Sequence, residues 1–213
     1  ILPEKTEKKS FKELTKYFFE FSHPLIIMTL FTSLALIFDR WFLQKIAGSI
    51  DQGFFHFAIR LSSIILLFNS AIIPIMQKEL VLLENKRAYS QLREKYESFL
   101  IIFYIITVFI IMILLFNVET IIEVLLNKNY VSAYSVILIV IIGTLFRSIG
   151  QFQAILLICL NKTSEIRNVG LVTIFIGFIM TLIFLSPTEN LYGMGLNLGA
   201  NGLALKFLMI EII

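Results

Sequence analysis

Apolar residues in this chain come in long runs, and the charged residues fall into the gaps between them. The runs cover about 24–42, 54–76, 99–116, 134–160 and 169–185, and a further one begins near Ala200 and reaches the last residues. Each complete run holds roughly the 17 to 25 residues that a helix needs to cross the hydrocarbon of a bilayer. None alternates with a period of two, and the strands of a membrane barrel are shorter, so strands are not expected. The pattern predicts transmembrane helices joined by short polar connections.

Two polar segments are amphipathic rather than simply charged. Residues 11–21 and 80–96 interleave Lys and Glu with apolar side chains, among them Leu80, Leu82, Leu83 and Leu92. They read as interfacial helices or as helix ends extended along the lipid headgroups, with a surface for a partner protein as the alternative.

Composition then decides the solvent. Hydrophobic residues make up 58% of the chain and charged residues 15%, with a mean hydropathy of +0.87. That leaves too few polar residues for the skin of a soluble domain, so lipid must cover most of the surface. The formal charge is +3, but the basic residues are dispersed between the runs and form no patch for a nucleic acid. Cys159 is the only cysteine; it excludes an intrachain disulfide or a cysteine zinc cluster and reads as a small packing residue.

Lysine and arginine set the orientation. Lys5, Lys8, Lys9, Lys12 and Lys16, then Lys78, Lys86, Arg87, Arg93 and Lys95, then Lys162 and Arg167 fall on one side of the predicted spans. Only Arg40, Lys45 and Lys128 fall in the connections on the other. The positive-inside bias puts the richer set, and Lys86 and Arg87 with it, in the cytoplasm; Lys128 and Glu189 are then extracytoplasmic. The outer connections are too short for a catalytic domain. No HExxH, GxSxG, P-loop or Rossmann pattern is present, and neither enzymatic activity nor a cofactor is expected. Ile1 at the start, and Ile212 and Ile213 inside the last apolar run, read as a portion of a longer transporter.

The first outer connection reads Asp39-Arg40-Trp41-Phe42-Leu43-Gln44, then Gly48-Ser49, then Gln52-Gly53-Phe54-Phe55. Asn129-Tyr130 with Ala133 opens the fourth span, and Gly193, Gly195, Gly199, Ala200 and Gly202 precede and open the sixth. In this order the motifs resemble the polysaccharide (O-antigen type) flippases of the multidrug/oligosaccharidyl-lipid/polysaccharide exporter superfamily, in which an Asp-Arg pair often ends one helix and a Gly-aromatic pair starts the next. The resemblance spans nearly the whole chain and implies the second half of a twelve-helix, two-bundle transporter. It implies alternating access in a bacterial cytoplasmic membrane and an undecaprenyl-pyrophosphate-linked oligosaccharide as substrate. Membrane lipids, a polysaccharide polymerase and assembly proteins are the implied partners, with no nucleic acid. Trp41 and the glutamines of the fourth span depart from the family pattern and leave the sugar open.

Ionised side chains inside a span need a reason, since each costs roughly 2.5–3.5 kcal/mol at the bilayer centre. Arg147 falls mid-span on a small, polar stripe with Gly143, Thr144, Gly150, Gln151 and Ala154, while Ile137, Ile141, Ile142, Leu145 and Phe152 fall on the other side. The stripe is expected to face the bundle interior. There the guanidinium either binds a lipid pyrophosphate through paired hydrogen bonds or is tied to a neighbouring helix for packing. Gln52, His56, Arg60, Ser63, Ser70 and Gln77 share a second stripe, where Arg60 either faces an inner cavity or snorkels outward. His56 reads as interfacial, and Asn69 as a hydrogen-bonding partner for another helix. Asp39, with Arg60 as its candidate partner, is either structural or the coupling group of transport. Gly170, Thr173, Gly177 and Thr181 form a seam for close helix contact. Pro24 and Pro74 are hinge candidates or ordinary transmembrane prolines.

The expectation is therefore an all-α polytopic bundle of about six helices, residues 1–22 leading in from the cytoplasm and 23–213 forming the membrane part. The cavity candidates are Arg147, Arg60, Gln151, Thr144 and Arg40, with Asp39 for coupling. A drug/cation antiporter of the same superfamily, a membrane-embedded sugar polymerase or ligase using acids such as Asp51, Glu119, Glu123 or Glu189, and a subunit without transport activity are the rivals.

Overall fold

A computed structural model describes residues 11–125, 128–187 and 195–213. Every regular element among them is helical: α1 (Phe11–Asn85), α2 (Tyr89–Phe116), α3 (Val118–Leu125), a 3-10 turn (Lys128–Ala133), α4 (Tyr134–Cys159), α5 (Thr163–Leu185) and α6 (Gly199–Ile212). The expected Lys5, Lys8, Lys9, Glu189 and Gly193, and the side chains of Lys128 and Asn129, lie outside what is described. Four helices, α1, α2, α4 and α5, are long and apolar enough to cross a membrane.

Helix α1 runs for 75 residues and breaks once, at Gly48, where φ is 90° and ψ is 179°. A residue with a Cβ is strained in that conformation. The break divides α1 into two arms, 11–47 and 49–85, each longer than the roughly 20 residues a span requires. Pro24 and Pro74 lie inside the arms, and the helix passes both without losing its dihedral angles. The Asp39-Arg40 pair does not end the first span either. The helix continues past it to Gly48, because isolated charges in a helical run do not break backbone hydrogen bonding.

Contacts fix the directions. Met28 lies beside Gly170 and Asp39 beside Thr181, so the first arm runs parallel to α5. Phe54 meets Tyr130 and Asn69 meets Gln151, so the second arm runs parallel to α4. Gly143 packs on Phe207, and Arg147 lies near Glu211, so α4 and α6 are parallel. Gly202 meets Phe184 while Gly177 meets Lys206, so α5 and α6 oppose each other. It follows that the two arms of α1 are antiparallel, and so are α4 and α5.

Helix α4 is the centre of the bundle. Ile137, Val140, Ile141 and Phe152 are fully buried on it, and Phe152 meets Phe103 of α2 with ring centroids 3.9 Å apart. Ile137, Ile141 and Phe152 of the bulky side are thus core, while Ile142 beside them stays exposed. Gly143 and Thr144 are buried as well, so α4 is packed on both sides. The outside of the bundle is apolar in its turn: Ile101, Ile105 and Phe109 of α2, and Val169, Val172 and Phe175 of α5, are all more than half exposed. A surface of that kind is stable against hydrocarbon and not against water.

The amphipathic segments are helix extensions. The second arm of α1 continues to Asn85, and Tyr89 starts α2 after a turn in which Ala88 N–H bonds to Leu83 O at 3.0 Å. At the opposite end of α2, α3 was not apparent from the runs; Val118 and Ile122 face the core and Glu119 and Glu123 the outside of the bundle. Residues 195–198 run back along the end of α5. The N–H groups of Leu196, Asn197 and Leu198 bond to the carbonyls of Ile183, Ser186 and Phe184 at 2.9, 3.0 and 2.9 Å, satisfying acceptors that a helix end leaves open.

Candidate functional site

Two turns into α6, Lys206 points between α1 and α5 and pairs with the carboxylate of Asp39. The other carboxylate oxygen accepts a hydrogen bond from the Thr181 hydroxyl at 2.7 Å. Asp39 is buried, and the side chain of Lys206 is 13% exposed. The small-residue seam of α5 makes this possible. A Cβ on Gly177 would stand 3.0 Å from Lys206 Cε, so the glycine leaves the slot through which the lysine stem passes. Asp39 therefore meets α6, not Arg60. Lys206 was not singled out from the sequence, because it falls in a run with no complete span around it.

A second carboxylate holds the start of α6. Asp51, just past the Gly48 corner, accepts the Ala200 N–H at 2.8 Å and sits where the first turn of the helix leaves donors open. Gly199, at φ +54°, lies so close to Asp51 that a side chain there would collide with the carboxylate. The two acids of this hairpin thus bind the same helix, one at its end and one in its body. Asp51 caps this helix.

The polar stripe of the second arm faces the opposite way. Phe54, Ala58, Leu61, Ile65, Asn69 and Met76 are its buried face, and at 100° per residue His56, Arg60 and Ser63 lie roughly opposite them. His56, Arg60 and Ser70 are exposed. Arg60 Nε donates to His56 Nε2 at 3.5 Å, and the Ser63 and Ser70 hydroxyls return to carbonyls of their own helix. Among the described residues no carboxylate pairs with Arg60. Arg40 is exposed too, one position from the buried Asp39.

On α4 the candidates separate. Thr144 is sealed in the packing, its hydroxyl donating to Val140 O at 2.8 Å. Gln151 accepts from Asn69 Nδ2 at 2.9 Å, which supplies the interhelical bond expected of Asn69. Arg147 is 38% exposed; its guanidinium lies 3.9 Å from Glu211 and 5.7 Å from the Phe207 ring centroid. That is a loose ion pair rather than a bidentate one, and it leaves donors free. Between the first arm and α5 a half-open cavity of about 370 Å³ is lined by Phe31, Phe38, Phe175 and Phe178, with Asp39 and Lys206 at one end.

Compared with known proteins, the chain matches no family model, no curated protein and no solved structure. Its own helices give the class. They are those of a multi-pass membrane protein, with acids paired inside the bundle and cations left on an outward face.

Proposed function

We propose that this chain forms one bundle of a membrane flippase that moves a lipid-linked oligosaccharide across the bacterial cytoplasmic membrane for surface polysaccharide synthesis, by alternating access. The carrying observation is the stripe of His56, Arg60 and Ser70 on the face of α1 opposite its packed side. Polar groups on that face are poorly placed against lipid, and they suit a water-filled space between this bundle and a second one. The resemblance of the 39–55 and 195–202 motifs to polysaccharide flippases supplies the substrate class, an undecaprenyl-pyrophosphate-linked sugar.

Charge separates this reading from a drug/cation antiporter, which needs free acids within the membrane. Here the acids inside the spans are partnered, Asp39 by Lys206 and Glu211 by Arg147. The group left over is a cation, Arg60, with Arg147 only loosely held. A guanidinium suits a pyrophosphate, and either arginine can offer one. The test is export of the lipid-linked sugar by the full protein at matched membrane levels. Arg60→Gln and Arg147→Gln are expected to lose at least tenfold, about 1.4 kcal/mol or more of interaction, with Arg147→Lys keeping part of it. If both glutamine variants export like the parent, the anion-binding reading is wrong.

A further inference from the structure

We propose that the end of α1, from Lys78 to Arg87, is a docking surface for anionic phospholipid headgroups. The surface is separate from the stripe that carries the transport reading. Continuity with the lipid-facing side of the second arm places it. Ile64, Phe68, Ile75 and Leu82 are exposed, and at 100° per residue they fall within about 40° of one another. Lys78 and Lys86, also exposed, widen that strip to about 80°. The apolar run of this arm ends at Met76. The strip therefore leaves the hydrocarbon on its lipid side and passes over headgroups, not over a neighbouring helix. Lys78 stands about 5 Å past Ile75 along the axis and Lys86 about 16 Å past it, and a four-carbon stem lets each ammonium reach back toward phosphate.

Charge selects the headgroup. Two acids near the strip are already engaged: Glu79 lies 3.6 Å from Lys95, and Glu97 lies 2.7 Å from Arg93. Glu84 is half-buried and falls on the side of α1 opposite the strip. Glu94 falls on the side of α2 away from the buried Leu92, about 200° round the helix. Among the described residues no carboxylate pairs with Lys78, Lys86 or Arg87, so the surface carries positive charge that nothing in the bundle answers. A headgroup with net negative charge answers it, whereas a choline headgroup brings a cation of its own.

The turn itself adds a second observation. Arg87 has φ 53°; its N–H bonds to Glu84 O at 2.8 Å and the next N–H, of Ala88, to Leu83 O at 3.0 Å. A helix closed in this way ordinarily takes glycine or asparagine at that position. The end of α4 follows the rule: Asn161 stands there with φ 58°, its N–H bonded to Ile158 O and the Lys162 N–H to Leu157 O. At the end of α1 an exposed arginine stands there against the backbone preference. No described carboxylate pairs with its guanidinium, so its use lies outside the bundle.

The experiment uses the full protein in vesicles of phosphatidylcholine and phosphatidylglycerol, with a trace of either lipid carrying a spin label. Electron spin resonance reports the fraction of each labelled lipid held immobile at the protein surface. The parent should prefer phosphatidylglycerol by about fivefold, which is what one cation near a membrane surface contributes, and salt should weaken the preference. Arg87→Gly should lower the preference while raising thermal stability, since glycine accepts the positive φ. Lys78→Gln/Lys86→Gln/Arg87→Gly should bring the two lipids to near equality. Lys12→Gln/Lys45→Gln removes two exposed cations elsewhere on α1 and should leave most of the preference. In a Cys159→Ser background, Leu82→Cys should form no disulfide between copies. A parent without preference, a preference unmoved by Arg87→Gly or kept in the triple variant, or an equal loss in Lys12→Gln/Lys45→Gln would each overturn the proposal. A disulfide between copies would also overturn it, by showing that the strip meets a second copy of the chain. No oligosaccharide substrate is present in any arm, so these outcomes are separate from those of the export assay.

Discussion

The two arms of α1 carry similar polar residues to opposite ends. On the first arm Asp39 is turned inward, and both carboxylate oxygens are answered by other helices. On the second arm Arg60 is turned outward, and its described hydrogen-bond partner is the histidine one turn away on the same helix. The first arrangement uses charge to join helices; the second leaves charge available. A polar residue in a span is thus read by what the opposite face of its helix does. Where that face is core, the residue is free to meet something beyond the bundle.

The widest separation between the arms should appear on removing one charge from each. Lys206→Ala strands a buried carboxylate, and a loss of about 3–5 kcal/mol is expected. Arg60→Ala removes an exposed group, and stability should stay within about 0.5 kcal/mol. Thermal denaturation of the purified proteins in one detergent compares them directly, and equal destabilisation would erase the distinction. A second, intermediate effect sharpens the role of the corner. Gly199→Val combines positive φ with a collision against Asp51, and about 2 kcal/mol should be lost along with the cap. The same variant should expose the start of α6 to amide exchange; unchanged protection there would show that Asp51 does not hold the helix. The smallest effect is expected between two neutral groups. Asn69→Leu removes the bond to Gln151, which in a membrane interior is worth about 0.6–1.7 kcal/mol. A loss as large as that for Lys206→Ala would mean that the inner hydrogen bonds, and not the ion pair, set the stability of the bundle.

Helix content was legible from run length alone, and so were some boundaries, although α1, α2 and α5 extend well beyond the apolar runs at their polar ends. The fourth run, 134–160, is α4, and the start near Ala200 is the start of α6. Hydrophobic length is a direct physical requirement of the bilayer, so it survives any arrangement of neighbours. Facing was not legible. Ile137, Ile141 and Phe152 suit lipid and core equally, since both are apolar, and only the neighbours of α4 decide between them. The partner of Asp39 was hidden by distance: Lys206 lies 167 residues away, and a helical wheel relates only residues on one helix. Helix α3 escaped because it is only 8 residues long and its apolar run is interrupted by Glu119 and Glu123.

The two acids flanking Gly48 have a consequence for biogenesis. Asp39 and Asp51 enter the membrane with the α1 hairpin, yet the groups that answer them, Lys206 and the Ala200 N–H, belong to α6, 167 and 149 residues further along the chain. Until α6 is inserted, the hairpin carries a carboxylate near its Gly48 corner with no counter-charge. The hairpin is accordingly held in a provisional state until then, and α6 closes it at its corner and from within. A ribosome that stops short of Lys206 leaves a product marked by an open acid, which is the kind of flaw that membrane quality control can recognise.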